Sequence, residues 1–291
     1  MADLFTSLVS VAFDGIAYGM ILFIISVGLS ITLGLMNFAN LAHGAFAMLG
    51  GYLCLTLANH WGLPFLPSVV AVFFVVGAIS VPFERWLYRP FYGKSDLEQV
   101  LLTIGLVFMF IAVCTFVWGP ANIQLAVPRY LKGQVDLGFR SFPTYRTFLI
   151  VVSVAIAIVL WLAIERTKIG AQIRAAVDNR RMAQSLGINV DKLFTLTFAL
   201  GSGLAAVGGA LGTEIVGLTP YYAIDYLVFF LIVVSVGGQG SLKGAFLAAL
   251  ALGVIDTAAK YYRPDWSAFF IFALTIAALL WRPRGLFGTR G

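Results

Sequence analysis

The chain is 291 residues long, 60% hydrophobic and only 11% charged, whereas soluble domains carry charge on about a quarter of their residues. That composition excludes a water-soluble globular domain; with roughly 20 apolar residues needed per crossing, it leaves room for about 8 to 10 membrane helices and no separate catalytic domain. The net charge of +6 comes from 19 Lys and Arg scattered among connections rather than gathered on one face, which points to membrane-flanking charge and away from nucleic acid.

The apolar runs are continuous rather than alternating, so the expected fold is all-α, a polytopic bundle forming one domain over residues 1–291, not an outer-membrane barrel. Residues 1–6 lack the basic region of a cleaved signal peptide, so the first run, 8–36, is expected to stay in the membrane, long enough to tilt or to contain a break. Runs at 41–58 and 63–81 follow, split by 59–62, and a polar stretch at 83–99 precedes a fourth run at 100–117. Residues 118–146, with Pro120, Pro128 and Pro143, read as an ordered extramembrane loop before a fifth run at 147–164. Cys54 and Cys114 sit inside apolar runs without metal or disulfide spacing and are expected to be small buried hydrophobes.

The most polar segment is 165–192, with Arg166, Lys168, Arg174, Arg180, Arg181 and Lys192 against Glu165, Asp178 and Asp191; the positive-inside bias assigns it to the cytoplasm. Runs at 193–216, 226–236, 242–259 and 266–281 complete the chain, with GGQGS at 237–241 acting as a turn at or within the membrane. The tail carries Arg282, Arg284 and Arg290 and is also expected in the cytoplasm. No Lys or Arg precedes Arg85, which places the N-terminus outside, although Arg129, Lys132, Arg140 and Arg146 blur the bias in the loop facing it.

Lipid gives helices little hydrophobic drive to associate, so small residues at spacing four mark close packing. Gly201, Ala205, Gly209 and Thr213 form one such ridge, and Ser241, Ala245, Ala249, Gly253 and Thr257 another; packing inside the bundle is the expectation, pore lining the alternative. Polar groups at membrane depth are expensive and mark cavities or partners. Asp14, Asn37, Asn40, His43, Glu214, Asp225, Asp256 and Lys260 are such groups. Asp256 and Lys260 stand one turn apart and are expected to pair, while Glu214 in LGTEIVG has no sequence-local partner and is the best single candidate for a charge on a substrate path. In GLMNFANLAHGAFAMLGGY, residues 34–52, the glycines Gly34, Gly44, Gly50 and Gly51 permit helix distortion, and Asn37, Asn40 and His43 offer hydrogen bonds to the backbone groups this frees. Two readings stay open for them: a junction on the translocation path, or a polar knot that joins helices.

Enzyme signatures fail. His43 and His60 are the only histidines and form no HExxH, no GxSxG is present, and GGQGSLKG misses the phosphate-loop spacing at Lys243–Gly244. No metal and no cofactor is expected in the chain.

In order along the chain occur GLMNFANLAHGAFAMLGGY, then ERWLYRPF at 84–91 with TIG at 103–105, IGAQIRAAVDNRRMAQSLGINV at 169–190, GGQGSLKGA at 237–245 and RPRGLFG at 282–288. Together they resemble the permease subunit of branched-chain amino acid ABC importers, the first of its two related permeases. The resemblance implies a bacterial inner-membrane heterodimer with a sister permease, two cytoplasmic ATPase subunits that hold the ATP, and a periplasmic binding protein delivering Leu, Ile or Val by alternating access. Related systems carry urea, short amides or aromatic acids. A transporter of another class, driven by an ion with Asp256 and Glu214 as proton sites, is the rival. On this reading 165–192 is a coupling loop, with Ile173, Ala176, Val177, Ala183 and Leu186 offering apolar contacts amid Arg. ABC importers generally carry EAA-x3-G here; Ala183 and Gly187 keep the A-x3-G spacing while Arg181 and Met182 depart from it, so the implied ATPase contacts are Arg174, Asp178, Ala183 and Gly187, with Arg181 beside them.

Overall fold

The computed structural model describes residues 2–38, 40–124, 127–136 and 141–287, with side chains from residue 6 onward; Arg140, Gly288 and Arg290 lie outside the described residues. Each apolar run becomes a helix. In order these are α1 (Ala2–Met36), α2 (His43–Asn59), α3 (Phe65–Phe83), α4 (Asp96–Trp118), α5 (Thr144–Arg166), α6 (Lys168–Asp178), α7 (Arg180–Ser185), α8 (Val190–Val216), α9 (Tyr222–Asp225), α10 (Leu227–Gly237), α11 (Leu242–Tyr262) and α12 (Ser267–Trp281). Among the described residues seven helices are long and apolar enough to cross a membrane, and the segment Tyr222–Gly237 is a shorter apolar one. The 17 residues of α2 add a further buried helix, about 26 Å long at the usual helical rise.

Two helices form the centre. From Ala17 to Leu29 most of α1 is buried, and α8 is buried from Gly201 to Thr213. Glycines explain how backbones approach this closely. A Cβ at Gly28 would stand 2.6 Å from the Cα of Gly201, and one at Gly253 would stand 2.5 Å from the Gly15 carbonyl oxygen. A Cβ on Gly209 would run into the Ala47 backbone, so α8 meets α1 through Gly201 and α2 through Gly209. Ala205, Ala245 and Ala249 are fully buried within the same seams. By contrast α4, α5 and α12 present long exposed apolar faces, among them Phe116, Val159 and Leu280, as lipid-facing helices must.

The connections separate the two ends. At one end β1 (Gln134–Asp136) and β2 (Ser141–Pro143) form an antiparallel hairpin with Val135 opposite Phe142, and Ile123 exchanges backbone hydrogen bonds with Leu218. At the other end lie α6, α7, the GGQGS turn and the basic residues around them. Gly238 (φ 97°) and Gly240 (φ 75°) give that turn its left-handed corners, and Ser241 caps α11 by accepting from the Gly244 amide at 3.0 Å.

Because the α1–α11 seam has no room for a side chain, Gly253→Leu should lower the melting temperature of the detergent-purified protein sharply, at an overpacking cost of about 1–3 kcal/mol or more. Gly105, with nothing within 4 Å of a built Cβ, is the control: Gly105→Ala should leave melting unchanged or raise it by the ~0.5–1 kcal/mol that helical glycine forfeits.

Candidate functional site

The Gly34–Tyr52 passage divides residue by residue. α1 stops at Met36 because Asn37 turns left-handed (φ 49°) while its amide still donates to the Leu33 carbonyl at 2.9 Å, a conformation asparagine tolerates better than most residues. Asn40 and His43 are both 2% exposed. The Asn40 side-chain oxygen accepts from the Tyr88 hydroxyl at 3.0 Å, and His43 Nε2 lies 2.9 Å from the Ile25 carbonyl oxygen, which can only accept. These two tie the α1–α2 corner to its neighbours. Asn37 alone is exposed, and it opens onto a polar cavity of 500 Å³ shared with Ser235, Gln239 and Arg284. Gly44 and Gly50 break no helix; they let α2 approach the Ala223 carbonyl and Ala206.

Glu214 sits in the last turn of α8, toward the hairpin end, where its Oε2 has no partner in the structure. Nearby, Arg146 pairs with Asp14, and the Tyr145 hydroxyl donates to the Leu211 carbonyl at 2.8 Å. Asp256 and Lys260 form the expected one-turn pair at 2.7 Å, with Asp256 1% exposed and Lys260 58%.

Sequence reasoning missed the face of α10. Val228, Ile232 and Ser235 share it, with Gln239 just beyond the helix end, and α12 runs alongside. Two cavities lie along this face: one of 180 Å³ between α10, α11 and α12, bounded by Val228, Ile232, Asp256, Lys260, Ile271 and Phe272, and the 500 Å³ one, which Leu33 of α1 and Val177 of α6 also line and which reaches Leu279 and Arg284. A serine and a glutamine at spacing four, flanking a glycine pair, were the available signal.

The segment 165–192 is built from three capped corners. Thr167 accepts from Gly170 N at 3.1 Å, Asn179 from Met182 N at 3.0 Å and Asn189 from Lys192 N at 3.0 Å, so α6, α7 and α8 each start at a fixed residue. α7 ends in a glycine cap: the Gly187 amide (φ 81°) donates to Gln184 O at 3.0 Å and the Ile188 amide to Ala183 O at 3.1 Å. The A-x3-G spacing is therefore the spacing of this cap. Ala183, at 1% exposure, is buried and cannot itself touch another protein; Ile173 and Ala176 also turn inward at 8% and 3%. On α7 and its end the apolar groups presented outward are Met182 at 59% and Leu186 at 73%, with Ile169 at 48% at the start of α6. Arg174 donates to the Ile164 carbonyl and faces Glu165 at 3.8 Å, which anchors it on the end of α5. Asp178, Arg181 and Gly187 are exposed.

A second group missed from sequence binds this segment to the bundle. Pro82 removes a helical donor, and after it α3 passes into a π-turn, Glu84–Tyr88, that turns Glu84 inward to 1% exposure. Its two carboxylate oxygens accept from the Tyr92 and Thr195 hydroxyls, both at 2.7 Å. Burial, then the hydrogen bond to Glu84, pushes the Tyr92 hydroxyl well above its usual range, so it remains a donor. Close by, Asp191 takes Arg89 and, at 3.9 Å, Arg180, whose guanidinium lies 4.7 Å over Phe194. The half-exposed ion pairs add little; the buried carboxylate is the firmer link. Glu84→Ala should leave both hydroxyls without their acceptor, cost on the order of 1–3 kcal/mol each where no water replaces it, and lower the melting temperature more than Glu84→Gln.

Comparison with known proteins agrees with this architecture. The family model described as branched-chain amino acid transport system / permease component matches residues 11–279. The high-affinity branched-chain amino acid transport system permease protein BraD of Pseudomonas aeruginosa is 30% identical over 94% of both chains. The protein of the same description named LivH, from Escherichia coli, is 26% identical over 99% of this chain and 98% of its own. A solved structure, PsaBC from Streptococcus pneumoniae in complex with Fab, shares the fold with a TM-score of 0.50 at 14% identity, covering 92% of this chain and 88% of that one.

Proposed function

The chain belongs to the family of branched-chain amino acid transport permease components, and from that premise we propose that it is the membrane permease subunit of an ATP-driven importer for leucine, isoleucine or valine. A sister permease would complete the path, two ATPase subunits would bind and hydrolyse the ATP, and an external binding protein would deliver the cargo across a bacterial inner membrane. The permease itself makes no covalent bond.

The observation that carries this reading is the capped α6–α7 element with Met182 and Leu186 exposed at its tip. Exposed apolar side chains amid Asp178, Arg180 and Arg181 suit a groove on a soluble protein better than water or lipid. A push there has a rigid route inward. The Asn189 cap joins α7 to α8, and α8 runs unbroken to Val216 against α1, α2 and α3. Smooth glycine contacts such as Gly28–Gly201 favour sliding of packed helices over hinge bending. Turning an outward-facing population of 99:1 into its inverse takes about 5.5 kcal/mol of differential binding, which this chain has no nucleotide motif to supply and ATP on partners would.

The cargo would pass along the α10–α12 groove, with Asn37, Ser235 and Gln239 at its basic end. The rival cargoes, urea, short amides and aromatic acids, fit the same machine and separate in one assay. Proteoliposomes containing the permease and its partner subunits should take up leucine only with ATP and delivery protein. Leu186→Glu should reduce ATP-driven uptake at least tenfold and the co-purified ATPase in parallel, while leaving the melting temperature of the permease unchanged. Uptake driven by a proton gradient without ATP would refute the proposal.

A further inference from the structure

The Asp256–Lys260 pair has valences that the fold does not use. Asp256 belongs to a membrane-spanning helix and is 1% exposed, yet only its Oδ2 is bonded; Oδ1 has no partner, and neither does the hydroxyl of Tyr18 on the facing helix α1. A carboxylate can turn about its last torsion at small cost, so either oxygen can be offered. Lys260 gives one of its three N–H donors to Asp256 and rests 5.6 Å from the Tyr18 ring and 5.9 Å from the Phe229 ring, a cage that favours a cation. Its side chain is 58% exposed, so two donors remain free to a ligand.

Beside these charges lies the 180 Å³ cavity, walled by Val228, Ile232, Ile271 and Phe272. An apolar cavity of about 150 Å³ admits a molecule the size of benzene. A fixed anion with an unpaired oxygen, a cation with spare donors, and an aliphatic cavity beside the pair match one ligand chemistry: an ammonium and an anionic oxygen carried on a short branched hydrocarbon. A pair kept only for packing would leave the chamber empty and the Oδ1 desolvation unrepaid, whereas burying an ion pair is stabilising only when its remaining lone pairs are satisfied.

We infer that Asp256 and Lys260 form a substrate-reading subsite between α10, α11 and α12, in which Asp256 takes the ammonium of an aliphatic α-amino acid, Lys260 its carboxylate, and Val228, Ile232, Ile271 and Phe272 its branched side chain. This rests on the importer reading and specifies its cargo as zwitterionic and aliphatic. It also places the first contact inside the membrane toward the hairpin end of α10 and α11.

The test is saturation binding of radiolabelled leucine to the nucleotide-free complex of permease and partner subunits in phosphatidylglycerol nanodiscs, a lipid without an ammonium group. Leucine should bind saturably, and leucinamide and 4-methylpentanoate, each lacking one charge, should compete at least tenfold more weakly. Asp256→Asn and Lys260→Gln should each weaken leucine binding at least tenfold while Lys260→Arg retains it, in preparations matched for assembled complex and melting temperature. Absence of saturable leucine binding in the wild-type complex, or undiminished binding in assembled Asp256→Asn, would overturn the subsite. ATP-dependent uptake in proteoliposomes reads the importer proposal separately, since a permease without this subsite still transports and a subsite without coupling still binds.

Discussion

Backbone-to-backbone contact at Gly28–Gly201 and Gly15–Gly253 is the constraint on which the structure depends. In lipid the hydrophobic effect does not press helices together, and an interhelical hydrogen bond contributes about 0.6 kcal/mol on average. Side-chain bonds between helices such as those of His43, Trp118 and Tyr145 therefore supply register more than cohesion. Cohesion comes from dispersion across surfaces that fit only because no Cβ intervenes. Two central helices with glycine on several faces can be surrounded closely, which is why α1 and α8 vanish from the surface while α4, α5 and α12 stay exposed. The same smoothness leaves the seams free to slide.

Against that apolar background each buried polar group has a definite position. A charge at membrane depth costs about 2.5–3.5 kcal/mol on insertion scales, so Glu84 and Asp256 are informative wherever they occur. Glu84 is satisfied by two hydroxyls and fixes the π-turn of α3 to α8, close to the corner where α6 and α7 join the bundle. Asp256 is half satisfied and adjoins a cavity. The two carboxylates thus sit at opposite ends of the molecule, one closing a structural joint and one leaving an opening.

How much of this the sequence disclosed depends on whether the signal was local. Helix positions, the small-residue ridges, the Asp256–Lys260 pair and the turn at GGQGS are all local patterns, and the structure contains each. Burial direction within 165–192 was not local. Ile173, Ala176 and Ala183 look like apolar contacts for a partner when read as composition, but the Asn179 cap resets the helical phase and turns Ala183 inward while Met182 and Leu186 point out. Asn40 and His43 were likewise ambiguous, because whether a polar group joins helices or lines a path depends on Tyr88 and Ile25, residues 48 and 18 positions away. Glu84, two residues after Pro82, stood in a run that read only as a polar stretch at 83–99.

The tail shows how a segment distant in sequence can complete the end of a helix. α10 ends at Gly237, and its last carbonyls need partners from beyond the helix. The Leu286 amide donates to Val236 O at 2.7 Å and the Phe287 amide to Gly237 O at 3.2 Å, while Gly240 N reaches Ser30 O of α1 at 3.0 Å. Gly285, left-handed at φ 80°, lies so close that a Cβ would stand 2.6 Å from Ser235 O. Two separate glycine-bearing motifs, GGQGS and RPRGLFG, are therefore halves of one joint. That joint borders the 500 Å³ polar cavity, whose lining includes Arg284 and Asn37. Any movement of the end of α10 must carry the tail with it or break the two bonds from Leu286 and Phe287.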